Sequence, residues 1–324
     1  MKTSPVTVDD LSRSVIAVPP LARNADGTVS RSGNAMLLDH LSRAGIGTVM
    51  YGGNANLYHQ PVSELEDLLT LLTELVARDT WLIPAIGPDY GKLLDAASIV
   101  KDSAVPTVLL LPAASAVTPA GVATGIRRIA ERMQKPVFLY INTDQYIQVE
   151  DARALIEDGL VCAIKYGVPR ALPGEDVYLQ RLIDAVDRRR VVSGLGERPV
   201  LPHIGKFGLA SFTSGLACIA PNAASHLLAL LRHGELAAAA ETHGRFLPLE
   251  DLRDAIGPIS VIHDAMTLAG IADTGPLLPF LSNIPHSWVK PVRAAAEALR
   301  DYDRTCEMVT RGARPTSPGR EPVA

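Results

Sequence analysis

Two stretches decide how this chain is read: Pro136-Val-Phe-Leu-Tyr-Ile141 and, one step further on, Val161-Cys-Ala-Ile-Lys-Tyr166. Each is a short apolar run without the alternation of a half-exposed strand, so both of its faces are covered, as in a parallel sheet overlaid by helices. Working outward, runs of the same kind recur at 14–18, 48–52, 81–87, 107–112, 190–194 and 208–215. With the first two they make eight starts, separated by 18 to 34 residues and mostly by 25 to 34. That is the spacing of a strand, a helix and two loops, and eight such units close a barrel. An open doubly wound sheet is the competing arrangement, but no G-x-G-x-x-G follows the first run. The predicted fold is an α/β protein, a (β/α)8 TIM barrel.

Helix-period segments lie between the runs. Ser63 opens an S-x-x-E capping box with Glu66, and Leu65, Leu68, Leu69, Leu72 and Val76 form one stripe. Thr118-Pro119 reads as an N-cap and first helical position, continued by Val122, Ile126, Ile129 and Met133. Met36 to Ala44 ends at Gly45, a C-cap. Beyond residue 221 the strand signal stops, and helical patterns follow at 223–233, 235–246, 252–269 and 287–302. The predicted organisation is a barrel over 1–221, a C-terminal helical extension over 222–310 and a flexible Pro/Gly/Arg tail over 311–324.

Composition narrows the function. The 324 residues carry a net charge of −4 with no basic block, which argues against nucleic acid and anionic membranes as partners. No apolar run reaches the roughly 18 residues of a membrane span, and the N-terminus lacks the apolar core of a signal peptide. Cys162, Cys218 and Cys306 match no metal spacing and suit a reducing cytosol, so a cytoplasmic location is expected. The histidines form no H-x-x-x-H or H-x-H pair, and no metal is indicated.

In such a barrel, chemistry sits where strands end. Lys165 lies among apolar neighbours at the end of its run. Burial lowers an amine's pKa, and a neutral amine attacks a carbonyl to form a Schiff base; a lysine that snorkels to solvent is the bland alternative. Tyr140 ends the preceding run, 25 residues earlier. The two ends are therefore neighbours, and a phenol there relays protons. The bland reading of Tyr140 is an aromatic plug.

A strand-end tyrosine in L-Y followed one strand later by A-I-K resembles the dihydrodipicolinate synthase / N-acetylneuraminate lyase family of class I aldolases. N-A-D-G-T-V-S at 24–30, A-G-I-G-T-V-M-Y-G-G-N at 44–54, S-G at 193–194 and G-L-A-S-F-T-S-G at 208–215 add to the likeness, which spans roughly residues 13–305. The resemblance implies a barrel enzyme, a homo-oligomer (tetramer or dimer), in which Lys165 forms a Schiff base with a 2-keto acid such as pyruvate and Tyr140 is the acid/base. It implies no external cofactor, because the protonated imine is the electron sink. Gly53 and Asn54 would hold the keto acid's carboxylate, with Ser193 and the backbone at Ala210 as further substrate contacts.

The departures from that family are specific. Where it has G-T-T-G-E, this chain has Gly52-Gly53-Asn54-Ala55-Asn56, without either hydroxyl. T-P-Y-Y is replaced by Leu111-Pro112-Ala113-Ala114, and the arginine for the second carboxylate falls near Gln145. Authentic dihydrodipicolinate synthase activity is therefore not expected. L-L-L-P at 109–112, N-T-D-Q after Tyr140 and S-G-L-G-E at 193–197 resemble the 5-dehydro-4-deoxyglucarate dehydratases, an alternative using the same Schiff base. Two further alternatives are a non-catalytic keto-acid-binding barrel and a phosphometabolite site at Gly194, Gly196 and Gly215. Tyr58 and His59 are placed where they could reach substrate, as are Asn142, Asp144, Glu197 and Thr213. His203 and Lys206 are expected on the surface, and the adjacent His263 and Asp264 cannot face each other as a dyad.

Overall fold

The computed structural model describes residues 1–312. Within them eight parallel strands close into a barrel in sequence order: β1 Ile16–Ala17, β2 Thr48–Tyr51, β3 Trp81–Ile86, β4 Val108–Leu110, β5 Val137–Ile141, β6 Val161–Tyr166, β7 Val191–Ser193 and β8 Ser211–Ser214. Strand β8 returns to β1, with Ile16 level with Thr213. All but one of the strand residues are buried, the exception being Tyr140, as runs apolar on both faces require. The β8 run was read from residue 208, but the strand begins only at Ser211.

The surrounding helices bury the predicted stripes. Pro119–Met133 begins as expected: the Thr118 hydroxyl accepts from the Gly121 N–H at 3.2 Å, and proline occupies the first turn. Its buried face is Val122, Ile126, Ile129, Ala130 and Met133. Truncating the fully buried Ile129 to alanine would cost about 2–5 kcal/mol. Helix Arg31–Arg43 stops where predicted, with Gly45 at φ +81, a conformation glycine adopts freely.

Two local readings are corrected. The capping box at Ser63 does not form: Val62–Glu64 is a 3-10 turn, and the α-helix starts at Leu65 without a side-chain cap. The helix read over 252–269 is two, Leu247–Ile256 and Pro258–Leu268. They part at Gly257, with φ +150, followed by a proline that has no N–H to continue the ladder. Helices Pro221–His233, Leu236–Gly244 and His286–Gly312 complete the C-terminal part. The tail expected over 311–324 lies outside the described residues, apart from two residues ending the last helix. No helix among the described residues is long and apolar enough to cross a membrane.

Candidate active site

Register places the two principal side chains together. Tyr140 on β5 is level with Lys165 on β6, and partners on neighbouring strands point to the same side of the barrel wall. The Lys165 Nζ stands 4.1 Å from the centre of the Tyr140 ring. Gly167 makes room for that ring: a Cβ there would come within 2.9 Å of Tyr140 Cε2.

Lys165 is 7% exposed, and no carboxylate pairs with it among the described residues. Burial, reinforced by the positive charge of Arg253, lowers its pKa to about 8. A sizeable fraction of the amine is therefore neutral near physiological pH. Burial, with the nearby Tyr58 phenol, raises the pKa of Tyr140, so its hydroxyl stays protonated and available as a donor.

Both side chains line a cavity of about 570 Å³ at the C-terminal end of the strands. Gly53, Asn54, Tyr58 and Thr213 line the same cavity. The Gly53–Ala55 segment is a 3-10 turn, whose first backbone N–H groups have no partner within the turn. Asn54 donates its amide to the Val18 carbonyl at 2.9 Å, which fixes the turn against β1. Gly53 and Asn54 therefore line the same cavity as Lys165 and Tyr140.

Ser193 and Ala210 do not. Ser193 is level with Tyr166, the neighbour of Lys165, so its hydroxyl faces outward and meets His203 Nδ1 at 2.9 Å. Ala210 precedes β8 at the opposite end of the barrel, level with the start of β7, where its N–H donates to Val191 at 3.0 Å. Neither lines the cavity. His203 is correspondingly not on the surface: it is 1% exposed beneath the wall, and burial lowers its pKa to about 4. His59 packs its ring against Phe280 at 5.3 Å and lines a different hollow. Asp144 is held by Arg170. His263 hydrogen-bonds the Gly275 carbonyl at 3.0 Å and forms no dyad with Asp264. Gly194 donates its N–H to Tyr166 at 2.6 Å, which removes it from any phosphate cradle.

The sequence reading missed the charged rim. Arg170, Arg198, Glu250, Arg253 and Asp254 line the cavity beyond Lys165. Arg170 reaches Asp176 from Nε at 2.8 Å and Asp144 from Nη1 at 2.8 Å. Arg198 reaches Asp254 at 2.8 Å and Asp251 at 2.6 Å. Arg253 donates from Nη1 to Glu250 at 2.8 Å. Behind Glu250 lies Glu197, fully buried, which receives the Ser214 hydroxyl and faces the Glu250 carboxyl. Burial first, and the neighbouring Glu250 second, push the Glu197 pKa well up, which favours its protonated form. The signal available for these residues was the i,i+3 pair Glu250 and Arg253 beside Leu249 on one helix face. No group of three or more His, Cys, Asp or Glu side chains among the described residues is arranged to hold a metal.

Comparison with known proteins agrees with this architecture. No curated protein matches the chain by sequence. Among solved structures, dihydrodipicolinate synthase from Oceanobacillus iheyensis superposes with a TM-score of 0.78 at 20% identity, covering 92% of this chain and 99% of that one. Sialic acid aldolase from Ruminococcus gnavus gives a TM-score of 0.79 at 14% identity, over 91% and 99%. YagE, a prophage protein of the dihydrodipicolinic acid synthase family from E. coli K12 solved with pyruvate, gives 0.74 at 19% identity, over 90% and 98%. At these identities the likeness is one of fold. The model of the dihydrodipicolinate synthetase family matches residues 12–294, and the chain belongs to that family.

Proposed function

We propose that this protein is a Schiff-base lyase or aldolase acting on a 2-keto acid such as pyruvate, and that it is not an authentic dihydrodipicolinate synthase. The observation that carries the reading is Lys165: a buried amine without a counter-ion, 4.1 Å from a protonated phenol, in a cavity at the strand ends. A lysine kept for stability would be paired, because an unpaired buried charge costs several kcal/mol. Membership of a family of lyases and aldolases supports the same reading, as does the keto acid bound to YagE.

The neutral Lys165 amine attacks C2 of the keto acid to give a carbinolamine. The C2 oxygen departs as water, and the net uptake of one proton leaves a cationic iminium. That iminium draws electrons from C3, so a C3–C4 bond breaks or forms, or a group on C4 is lost after C3 is deprotonated. Tyr140 passes the protons, a role worth about 10²–10⁴-fold in rate. The free N–H groups of the Gly53–Asn54 turn grip the C1 carboxylate, doing with backbone what lost hydroxyls do elsewhere in the family. The protein's own iminium supplies the electrophile, so no external cofactor is required. The expected setting is cytoplasmic, as a tetramer or dimer.

Borohydride trapping with pyruvate tests this reading. The expected result is one reduced adduct, mapped by peptide mass to Lys165. No adduct with pyruvate or any longer 2-keto acid would refute it.

A further inference from the structure

The rim beyond Lys165 holds three arginines, and they are not equivalent. Arg170 faces two aspartates: Nε and Nη2 donate to Asp176 at 2.8 and 3.0 Å, Nη1 donates to Asp144 at 2.8 Å, and Nη2 also reaches the Tyr166 hydroxyl. Arg198 likewise faces two, Asp251 and Asp254, at 2.6 and 2.8 Å. Each is met by two carboxylates. Arg253 is matched differently. Nη1 meets Glu250 at 2.8 Å and Nε reaches the Pro258 carbonyl at 3.4 Å, while Nη2 donates to no group among the described residues. No second carboxylate bonds Arg253 among the described residues, whereas Arg170 and Arg198 each meet two.

Arg253 is also rigidly placed. It is 8% exposed, on a helix held against the loop after β7. Gly196 in that loop lies so close that a Cβ would meet Glu250 Oε1 at 2.6 Å and Arg253 Nη1 at 3.3 Å. The Gly53–Asn54 turn lies elsewhere on the rim, against β1 and Gly215. A keto acid with its C1 carboxylate at that turn and C2 at Lys165 has its remaining carbons free to run toward the β7 side. The charge of Arg253 is felt at Lys165, so the two share one polar space.

We infer that Arg253 is a specificity-determining residue that receives a second carboxylate at the far end of the substrate, through the free N–H donors of Nη2. The substrate class is then a 2-keto acid carrying a terminal carboxylate. This inference rests on the keto-acid reading above. A guanidinium held within a helix is suited to it, because its fork is preorganised and its bond to a carboxylate is charge-assisted.

The test compares ligands of equal length in competition with pyruvate during borohydride trapping. 2-Oxoglutarate is set against 2-oxopentanoate, and 2-oxoadipate against 2-oxohexanoate. In the wild-type protein, at least one dicarboxylate is expected to half-saturate Lys165 at about tenfold lower concentration than its methyl-ended counterpart, the effect of one charge-assisted hydrogen bond. Arg253→Gln should reduce that ratio to near one, while pyruvate trapping shifts to higher pH because a charge that helps to lower the Lys165 pKa is gone; a purely structural defect would weaken all ligands and leave the ratio unchanged. If Arg253→Gln does not fold, Arg253→Lys decides: it keeps a charge opposite Glu250 but loses the fork, and the ratio should fall severalfold. Equal use of the two ligand types by the wild type, an undiminished ratio in the variants, or equal preference for 5-hydroxy-2-oxopentanoate would overturn the inference while leaving the lyase reading intact. Absence of any pyruvate adduct in the wild type would defeat both.

Discussion

Lys165 and Arg170 lie five residues apart, and both line the cavity mouth, yet the protein treats their charges in opposite ways. Arg170 is surrounded by Asp144, Asp176 and the Tyr166 hydroxyl, and these bonds raise its pKa further. Lys165 faces an aromatic ring and no carboxylate, and burial lowers its pKa to about 8. Arg170, which organises structure, is given anions; Lys165, the nucleophile of the proposed reaction, is denied them. Pairing Lys165 with an aspartate would stabilise the ammonium and suppress the neutral amine.

The largest expected effect on this comparison removes the amine. Lys165→Met should eliminate the pyruvate adduct altogether while the circular dichroism spectrum stays that of the wild type and the melting temperature rises, since an unpaired buried charge is removed. Retention of an adduct would mean that another lysine is the nucleophile. Tyr140→Phe keeps the ring over Lys165 but removes the hydroxyl, and turnover should fall by about 10²–10⁴-fold. A change of less than twofold would return Tyr140 to the role of an aromatic plug.

On the paired side, Arg170→Met should leave the lysine's reactivity nearly intact and act on stability. Asp176 is buried and also accepts the Leu179 N–H at 2.9 Å at a helix start. Burial alone would raise its pKa, but the Arg170, Leu179 and Tyr166 bonds outweigh burial and hold it low. Removing the guanidinium leaves a buried carboxylate unpaired, at a cost of about 3–5 kcal/mol in urea unfolding. The loss should shrink as pH falls and Asp176 becomes protonated.

A smaller effect is expected at Glu197. Its folded pKa is raised, so the folded state holds a proton that the unfolded state releases above the ordinary glutamate value of 4.5. Stability is therefore present below that value and falls as pH rises above it. Glu197→Gln should fold normally and flatten this slope, with the gain over wild type larger at pH 8 than at pH 5. An equal difference at both pH values would show that Glu197 is ionised in the native protein.

Much of this was legible in the sequence, for identifiable reasons. The barrel followed from the spacing of apolar runs, because covered strands and their crossover helices leave a regular period. The juxtaposition of Lys165 and Tyr140 was legible because each ends such a run, one step apart. Ser193 and Ala210 were misplaced because side-chain parity cannot be fixed on a three-residue strand, and because β8 starts three residues later than its apolar run. Ser193 took the outward side with Tyr166. The charged rim was hidden for another reason. Glu250 and Arg253 sit in a helix whose docking over the barrel mouth is a tertiary fact, and no local pattern announced that Arg170 would be matched by Asp144 from 26 residues upstream.

The most direct test of the central claim is the pH dependence of pyruvate trapping at Lys165, followed by intact mass and peptide mapping. The account predicts a single adduct on Lys165, with a rate that rises with pH around a midpoint near 8, the pKa to which burial brings this amine. No adduct, or trapping with a midpoint near the ordinary lysine value of 10.5, would contradict it.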